Sequence, residues 1–215
     1  MREDDRRTAV TQRRFPHVAW RALTPVVLAG GRSRRFGSDK LVARVGADAR
    51  GGDLLIDRPL RALRAVFGAG VVLAGRCAPE VLDRAGASLP DRTKDLGPLG
   101  GILTALETFP RGVFVLAGDL PDITPRTVES ICLHLHVGRP AAALARTDMV
   151  EPCIGVYMPA ARPWLEAAAA RGARGLAMPP LHAVIPARLR VEVPIPVEEA
   201  RNVNRPEDLS PPGHG

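Results

Sequence analysis

The most constraining feature of this sequence is a series of short apolar runs that alternate with segments of helical spacing. The runs at 25–29, 71–75 and 113–121 are apolar almost throughout. Strands of this kind are buried on both faces, which is typical of parallel sheets covered by helices. The intervening segments predict helices at 55–67, 79–85, 97–109 and 125–136, the last with Thr124 as its N-cap. We therefore expect an α/β fold of three layers, with a mostly parallel central sheet and helices on both faces.

The second half of the chain continues this alternation less regularly. The elements expected there are strands at 141–145 and 153–158, a helix at 160–171, an extended segment within 182–196 and a last short helix into which 202–209 turns. No stretch resembles a linker between domains. The prediction is one domain over 25–209, preceded by a flexible basic extension at 1–24 and followed by a frayed tail at 210–215.

Composition excludes several classes of protein. Hydrophobic residues make up 46% of the chain and its mean hydropathy is near zero, which is typical of a soluble globular protein. No apolar run approaches the ~20 residues of a membrane-spanning helix, and residues 1–14 lack the apolar centre of an export signal. Cys77, Cys132 and Cys153 are too widely spaced to indicate a disulfide framework or a zinc site. We expect a cytoplasmic protein with no membrane partner, in which the cysteines are small buried hydrophobic residues.

The charge balance favours an anionic ligand. The formal net charge is +7, yet aromatic residues make up only 4% and do not alternate with basic ones, so no nucleic acid partner is expected. Only Lys40 and Lys94 are lysines among the 30 basic residues. Most of the arginines are attributed to a solvated surface in a chain that prefers arginine, and against that background Lys40 stands out.

Three segments that follow predicted strands or open a helix suggest a nucleotide site. The first is the glycine-rich loop at 30–40, whose glycines let backbone N–H groups approach a polyphosphate while Arg35 and Lys40 neutralise it. The second is Asp119, which would lie at the rim of the sheet and could bind Mg²⁺ beside substrate phosphates. The third is the segment at 91–101, where a helix start offers free backbone N–H groups.

Each of these segments also has an ordinary structural interpretation. The loop at 30–40 could be a charged surface turn, and the segment at 91–101 a plain connection. Asp119 could cap the turn before Pro121, although Asp122 is the better candidate for that turn. His134 and His136 are expected to be structural or solvated, and Ser33 has no evident partner for acyl transfer.

Taken together, LAGGRSRRFGSDK at 28–40, GPLGG at 97–101, AGDLP at 117–121 and NVNRPEDL at 202–209 resemble one family. They look like the bacterial molybdenum cofactor guanylyltransferases, within the nucleotidyltransferase superfamily of Rossmann-like fold. The resemblance runs over about 25–209 and leaves residues 1–24 outside it.

The resemblance implies a role for individual residues. Lys40 would bind the nucleotide phosphates, with Arg35 offsetting charge on the leaving pyrophosphate, and Asp119 would hold Mg²⁺. Asn202 and Asn204 would lie on the pterin side, although the pair could instead form a turn before the last helix. The remaining nucleotide contacts would come from Leu28, Ala29, Gly30, Gly31, Gly97, Pro98, Leu99 and Asp91, with Asp95 as the alternative to Asp91.

The activity implied is transfer of GMP from GTP to the molybdopterin phosphate with release of pyrophosphate. Gly30 and the loop Gly97–Leu99 follow the pattern associated with guanine rather than cytosine. Transient contact with molybdoenzymes or their chaperones would follow from handing on the cofactor. The alternatives are a CTP-dependent molybdopterin cytidylyltransferase, another small-molecule nucleotidyltransferase, and a non-catalytic nucleotide-binding regulatory protein.

Two departures from the family pattern stand out. The segment 46–55 is longer than usual, and Gly75 stands where the family often has a polar Asn. Glycine offers no amide side chain, so we expect that nucleotide contact to be lost or supplied by the backbone.

Overall fold

A computed structural model of the chain describes residues 20–30, 39–45, 52–68, 70–90, 96–136 and 138–209. Within them the strands are β1 (Thr24–Leu28), β2 (Arg44–Val45), β3 (Asp53–Leu54), β4 (Val72–Ala74), β5 (Ser88–Leu89), β6 (Val113–Ala117), β7 (Ala142–Arg146), β8 (Val150–Tyr157) and β9 (Arg190–Pro194). The α-helices are α1 (Asp57–Phe67), α2 (Pro79–Ala85), α3 (Pro98–Thr108), α4 (Pro125–Leu133), α5 (Arg162–Ala173) and α6 (Leu181–Val184).

Seven of the strands form one central sheet in the order β5-β4-β1-β6-β8-β7-β9. All neighbouring pairs are parallel except those made by β8, which runs antiparallel to both β6 and β7. Strands β2 and β3 form a separate antiparallel pair. The mostly parallel sheet expected from the continuous apolar runs is therefore confirmed, with one reversed strand inside it.

The core lies in two layers on opposite faces of this sheet, because successive side chains of a strand point to opposite sides. Val27 of β1 packs in the layer that contains the buried faces of α1, α2 and α4. Its neighbours Val26 and Leu28 pack in the other layer, together with α3, α5 and α6. The predicted arrangement of three layers is confirmed.

Several predicted boundaries differ from the observed ones. Strand β6 ends at Ala117 rather than at 121, because its pairing with β1 ends there and Gly118 begins a turn by donating to the Leu28 carbonyl at 3.0 Å. The extended segment predicted within 182–196 is strand β9, and the end of α6 and a 3-10 turn precede it there. Pro180 and Pro186 immediately precede these two helical turns, and the fixed φ of proline suits a helix entry.

Other boundaries differ by a few residues. The strand expected at 153–158 begins at Val150, the two-residue strand β5 was not expected, and the helix at 125–136 ends in a 3-10 turn at His134–His136. The last short helix expected in 202–209 is present as the 3-10 helix Pro206–Leu209. Thr124 is the N-cap of α4, as predicted, since its hydroxyl accepts from the Thr127 N–H.

The packed structure includes part of the predicted extension at 1–24. Trp20 packs edge to face on Phe67 at 5.7 Å between ring centroids, Leu23 is buried, and Thr24 pairs with Val113. Residues 1–19 and 210–215 lie outside the described part, so the division of the chain stays a prediction there. None of the described helices is long and apolar enough to cross a membrane.

Candidate active site

A cavity of about 220 Å³ opens at the carboxyl ends of β1 and β6 and at the beginning of β8. Ligands of open α/β sheets bind at this edge. The predicted site residues that line the cavity are Leu28, Ala29, Gly30, Lys40, Pro98, Asp119 and Asn202. The fold therefore brings together residues that are up to 174 positions apart in the chain.

Other predicted residues lie elsewhere. Gly97 is the N-cap of α3 and Leu99 belongs to the buried core, so neither lines the cavity although Pro98 between them does. The His134 Nδ1–H group donates to the Ser130 carbonyl at 2.8 Å, away from the cavity, as a structural residue does. Gly31, Ser33, Arg35, Lys94, and the two carboxylates Asp91 and Asp95 lie outside the described residues.

Lys40 begins a short 3-10 turn that is fixed by the preceding Asp39. One carboxylate oxygen of Asp39 accepts from the Leu41 N–H at 3.1 Å, and the other accepts from the Ala78 N–H at 2.9 Å. Asp39 thereby ties the turn that carries Lys40 to the beginning of α2. We did not predict this role, although an Asp immediately before a helical turn is a recognised capping residue.

The Lys40 ammonium group faces Asp119 across the cavity. Its Nζ atom donates to the Asp119 carboxylate and, at 2.9 Å, to the backbone carbonyl of Val203. The Val203 N–H donates in turn to the Asp119 carbonyl at 3.0 Å. Asp119 itself lies in the turn two residues beyond the end of β6, slightly further from the sheet than predicted. The two side chains predicted to handle phosphate and metal are therefore paired with each other.

Two backbone contacts shape the part of the cavity formed by β1. Gly30 lies against Gly75, whose φ of +106° and close approach leave no room for a side chain. The Ala29 N–H donates to the Ala74 carbonyl at 2.8 Å. Gly75 is thus needed for the close packing of two loops, which is a physical reason for a residue without a side chain at this position.

The start of β8 contributes side chains that sequence reasoning missed. Glu151, Pro152 and Cys153 line the cavity, and Glu151 accepts from the Thr147 hydroxyl at 3.0 Å. Burial, together with the negative charges of Asp119 and Glu151, raises the pKa of the Cys153 thiol to about 12. The sequence predicted Cys153 to be a small buried hydrophobic residue. That prediction was incomplete, because the uncharged Cys153 side chain also forms part of the cavity wall. All three cysteines are free.

The cavity offers Mg²⁺ a small number of carboxylate ligands. No group of three or more His, Cys, Asp or Glu side chains in the described part of the chain could hold a metal ion. Mg²⁺ commonly binds one or two carboxylates together with substrate phosphates and water. Asp119 and Glu151 are two carboxylates lining one cavity, so the residues present fit an ion that arrives with a polyphosphate.

The chain segment after β9 returns across the cavity. Arg201 donates to the Asp122 carboxylate at 3.0 and 2.8 Å, so Asp122 lies in the expected turn and also anchors this segment. The Asp208 carboxylate accepts from the N–H groups of Asn204 and Arg205, both at 2.8 Å, and these bonds hold the pKa of Asp208 below its usual range. Asn202 faces the cavity, whereas Asn204 belongs to the turn before the last helical segment.

Comparison with known proteins decides the family. Residues 25–184, well over half of the chain, match the MobA-like NTP transferase domain. The chain belongs to this family. Within the MobA-like family it is 32% identical over 194 residues to the probable molybdenum cofactor guanylyltransferase of Opitutus terrae, a match that covers 87% of this chain and 93% of that protein. It is 28% identical over 193 residues to the protein of the same name from Chloroflexus aggregans, covering 87% and 91%.

A solved structure agrees with this assignment. The crystal structure of molybdopterin-guanine dinucleotide biosynthesis protein A from Archaeoglobus fulgidus is 27% identical, with a TM-score of 0.66, over 87% of this chain and 95% of that one. The resemblance to nucleotidyltransferases and their three-layer fold is confirmed. The MobA-like match ends at 184, so Asn202 and Val203 lie beyond it.

Proposed function

We propose that this chain transfers GMP from GTP to the phosphate of molybdopterin and releases pyrophosphate. Membership of the MobA-like family and the names of its relatives support this activity. The observation that carries it is the pairing of Lys40 with Asp119 in a cavity whose other wall is the backbone of Leu28–Gly30. A cation, a carboxylate and a close glycine backbone are what a nucleoside triphosphate requires.

The proposed reaction is an in-line displacement at phosphorus. A phosphate oxygen of the acceptor forms a bond to the α-phosphorus of GTP, and the bond from that phosphorus to the oxygen bridging to the β-phosphate breaks. The leaving group is pyrophosphate. The attacking phosphate is already anionic near neutral pH, so the protein needs no general base. Its contributions are position and neutralisation of charge.

Particular groups of the cavity suit these tasks. Among the described residues Lys40 uses two of its three N–H donors, on Asp119 and Val203, and the third donor and the positive charge can serve a phosphate. Pro98 lines the cavity at the first turn of α3, so the positive end of that helix dipole faces the triphosphate. Asp119 would hold Mg²⁺, with Glu151 beside it, and the ion would supply further neutralisation of phosphate oxygens when bound.

The proposal also gives roles to individual residues and selects the base of the nucleotide. Arg35 would offset charge on the pyrophosphate, and Asp91 would accept from the base or ribose. Guanine rather than cytosine is favoured by Gly30 and by the Gly97–Leu99 loop. Asn202 would contact the pterin substrate from the cavity wall. A cytoplasmic location and transient contact with molybdoenzymes or their chaperones stay predictions.

The deciding experiment measures pyrophosphate release by the purified full chain with molybdopterin and Mg²⁺, comparing GTP with CTP. We expect release with GTP, little with CTP, and none after a chelator removes Mg²⁺. A preference for CTP would keep the mechanism and overturn the choice of base. Binding of GTP without release of pyrophosphate would favour a different acceptor or the non-catalytic alternative.

A further inference from the structure

The backbone of Val203 forms hydrogen bonds with both Lys40 and Asp119. Its carbonyl accepts from the Lys40 Nζ atom at 2.9 Å, and its N–H donates to the Asp119 carbonyl at 3.0 Å. Its side chain is fully buried in a small apolar cluster with Val45 and Leu55. One residue of the returning segment is therefore held by the side chain that the proposed function assigns to phosphate and by the backbone of the residue that it assigns to the metal.

The residue before Val203 in the chain belongs to the part of the cavity that the proposed function assigns to the acceptor. Asn202 lines the cavity and immediately precedes Val203, so the position of the Val203 peptide determines where Asn202 can reach. On the far side of Asn202, Arg201 is anchored to the Asp122 carboxylate and, at 2.6 Å, to the Asp208 carbonyl. Asn202 therefore lies between two anchored residues, Arg201 and Val203. Of these two, only Val203 contacts Lys40 and Asp119.

We propose that Val203 is a positioning residue that couples the nucleotide half of the cavity to the acceptor half. The proposal rests on the proposed function and adds to it that binding of one substrate favours binding of the other. Val203 touches no reacting atom. It acts through the Lys40 and Asp119 contacts on one side and through Asn202 on the other.

The N–H donors of Lys40 explain why binding of one substrate should strengthen, and not weaken, binding of the other. Because one of its three N–H groups is not used by the described residues, a phosphate can bind Lys40 without displacing the Val203 carbonyl. A bound phosphate then restrains the Nζ atom, and the Val203 contact becomes more persistent. Asn202 is held in place as a result. By linkage, an acceptor bound at Asn202 strengthens nucleotide binding by the same factor.

Val203→Ala removes the side-chain packing on Val45 and Leu55 that holds the Val203 peptide in place. Its steady-state kinetics therefore test this coupling, with Val193→Ala as the matched control. Val193 is an equally buried valine in the edge strand β9, outside the cavity, so it reports the loss of two buried methyl groups alone. For Val203→Ala we expect the acceptor KM to rise about tenfold, while kcat and the Kd of GTP measured without acceptor change less than about twofold. The control should leave all three constants near those of the original protein.

The coupling is overturned if the acceptor KM of Val203→Ala matches that of the control. It is also overturned if the acceptor KM and the Kd of GTP rise together, since that result indicates general loosening of the site. If the original protein has no activity with GTP and molybdopterin, the proposed function fails, and the hydrogen-exchange measurement below still tests the nucleotide side of the coupling.

Hydrogen exchange of the unsubstituted full chain provides a second test that does not depend on the folding of a variant. Adding Mg²⁺ and GTP should slow exchange in the segment 201–209 about fivefold or more, and leave strand β9 unchanged. Bound GTP without slower exchange, or with faster exchange, overturns the coupling while leaving the proposed function intact. Failure to bind GTP at all overturns both.

Discussion

Gly75 lies so close to Gly30 that a Cβ atom on Gly75 would stand 2.6 Å from the Gly30 amide nitrogen and 2.7 Å from its Cα atom. Atoms of the backbone cannot move aside as the end of a flexible side chain can. The loops that follow β1 and β4 therefore pack backbone against backbone, with no side chain between Gly30 and Gly75. The shape of the cavity wall at Gly30 depends on a residue that does not itself line the cavity.

Gly75→Ala should displace Gly30 and weaken nucleotide binding. We expect the Kd of GTP to rise at least about tenfold and the protein to lose about 1–3 kcal/mol of stability, since φ at this position is also +106°. Gly68→Ala is the control, because Gly68 has a φ of +84° and no atom within 4 Å of a built Cβ. It should lose stability without any change in GTP affinity. Isothermal titration and urea unfolding of both variants measure these effects, and equal losses of GTP affinity would contradict the prediction.

Lys40→Met and Asp119→Asn should each lower kcat/KM by a factor on the order of 10² to 10³. Each single change also leaves the other charge without its partner in a half-buried site, which costs stability. The double variant should regain that stability while remaining as inactive as the worse single one. Asp83→Asn, on the exposed face of α2, is the control and should be fully active. Thermal unfolding and pyrophosphate release separate the two effects, and recovery of activity in the double variant would refute the catalytic assignment.

Thr124→Val should destabilise the protein by about 1–2 kcal/mol without altering GTP affinity. The Thr124 hydroxyl caps α4 and also donates to the buried carboxylate of Glu199 at 2.9 Å, which ties the chain after β9 to the body of the domain. Thr108→Val, at an exposed helix end, should change the free energy of unfolding by less than about 0.5 kcal/mol. Urea unfolding measures both. A similar loss in the two variants would show that the bond to Glu199 contributes nothing.

Cys153 should resist alkylation in the folded protein at pH 7–9. Burial and two neighbouring carboxylates disfavour the thiolate and raise its pKa to about 12, and only the thiolate reacts. The rate of iodoacetamide labelling should therefore rise about tenfold per pH unit up to about pH 11, whereas in urea it should level off near pH 9. Peptide mass spectrometry follows the label. Fast labelling of folded Cys153 at pH 8 would contradict this environment, and Cys132, whose pKa burial also raises to about 12, is the internal control.

Part of the site was predictable because parallel strands end at the same edge of a sheet. Leu28, Gly30 and Asp119 follow apolar runs that can only be buried strands, and the carboxyl ends of parallel strands meet at one edge. Lys40 stood out through its rarity in an arginine-rich chain. These predictions needed only local pattern and the geometry of parallel sheets.

The contributions of Glu151 and Val203 could not be predicted in the same way. Glu151 lies in the cavity because β8 is reversed, which brings the beginning of that strand to the edge where the others end. The direction of a strand is a property of the whole sheet and leaves no mark in a run of apolar residues. Val203 acts through its peptide group, which every residue possesses, so no side-chain pattern distinguishes it. A Glu directly before an apolar run was the one available signal for the first of them.

The bond between Lys40 and the Val203 carbonyl joins positions 163 residues apart. Closing so long a loop is entropically costly and tends to come late in folding. During synthesis, position 203 must leave the ribosome before this bond can form. A nascent chain can therefore complete its central strands well before it acquires a finished cavity. Chains cut short before position 203 should accumulate as folded but inactive products.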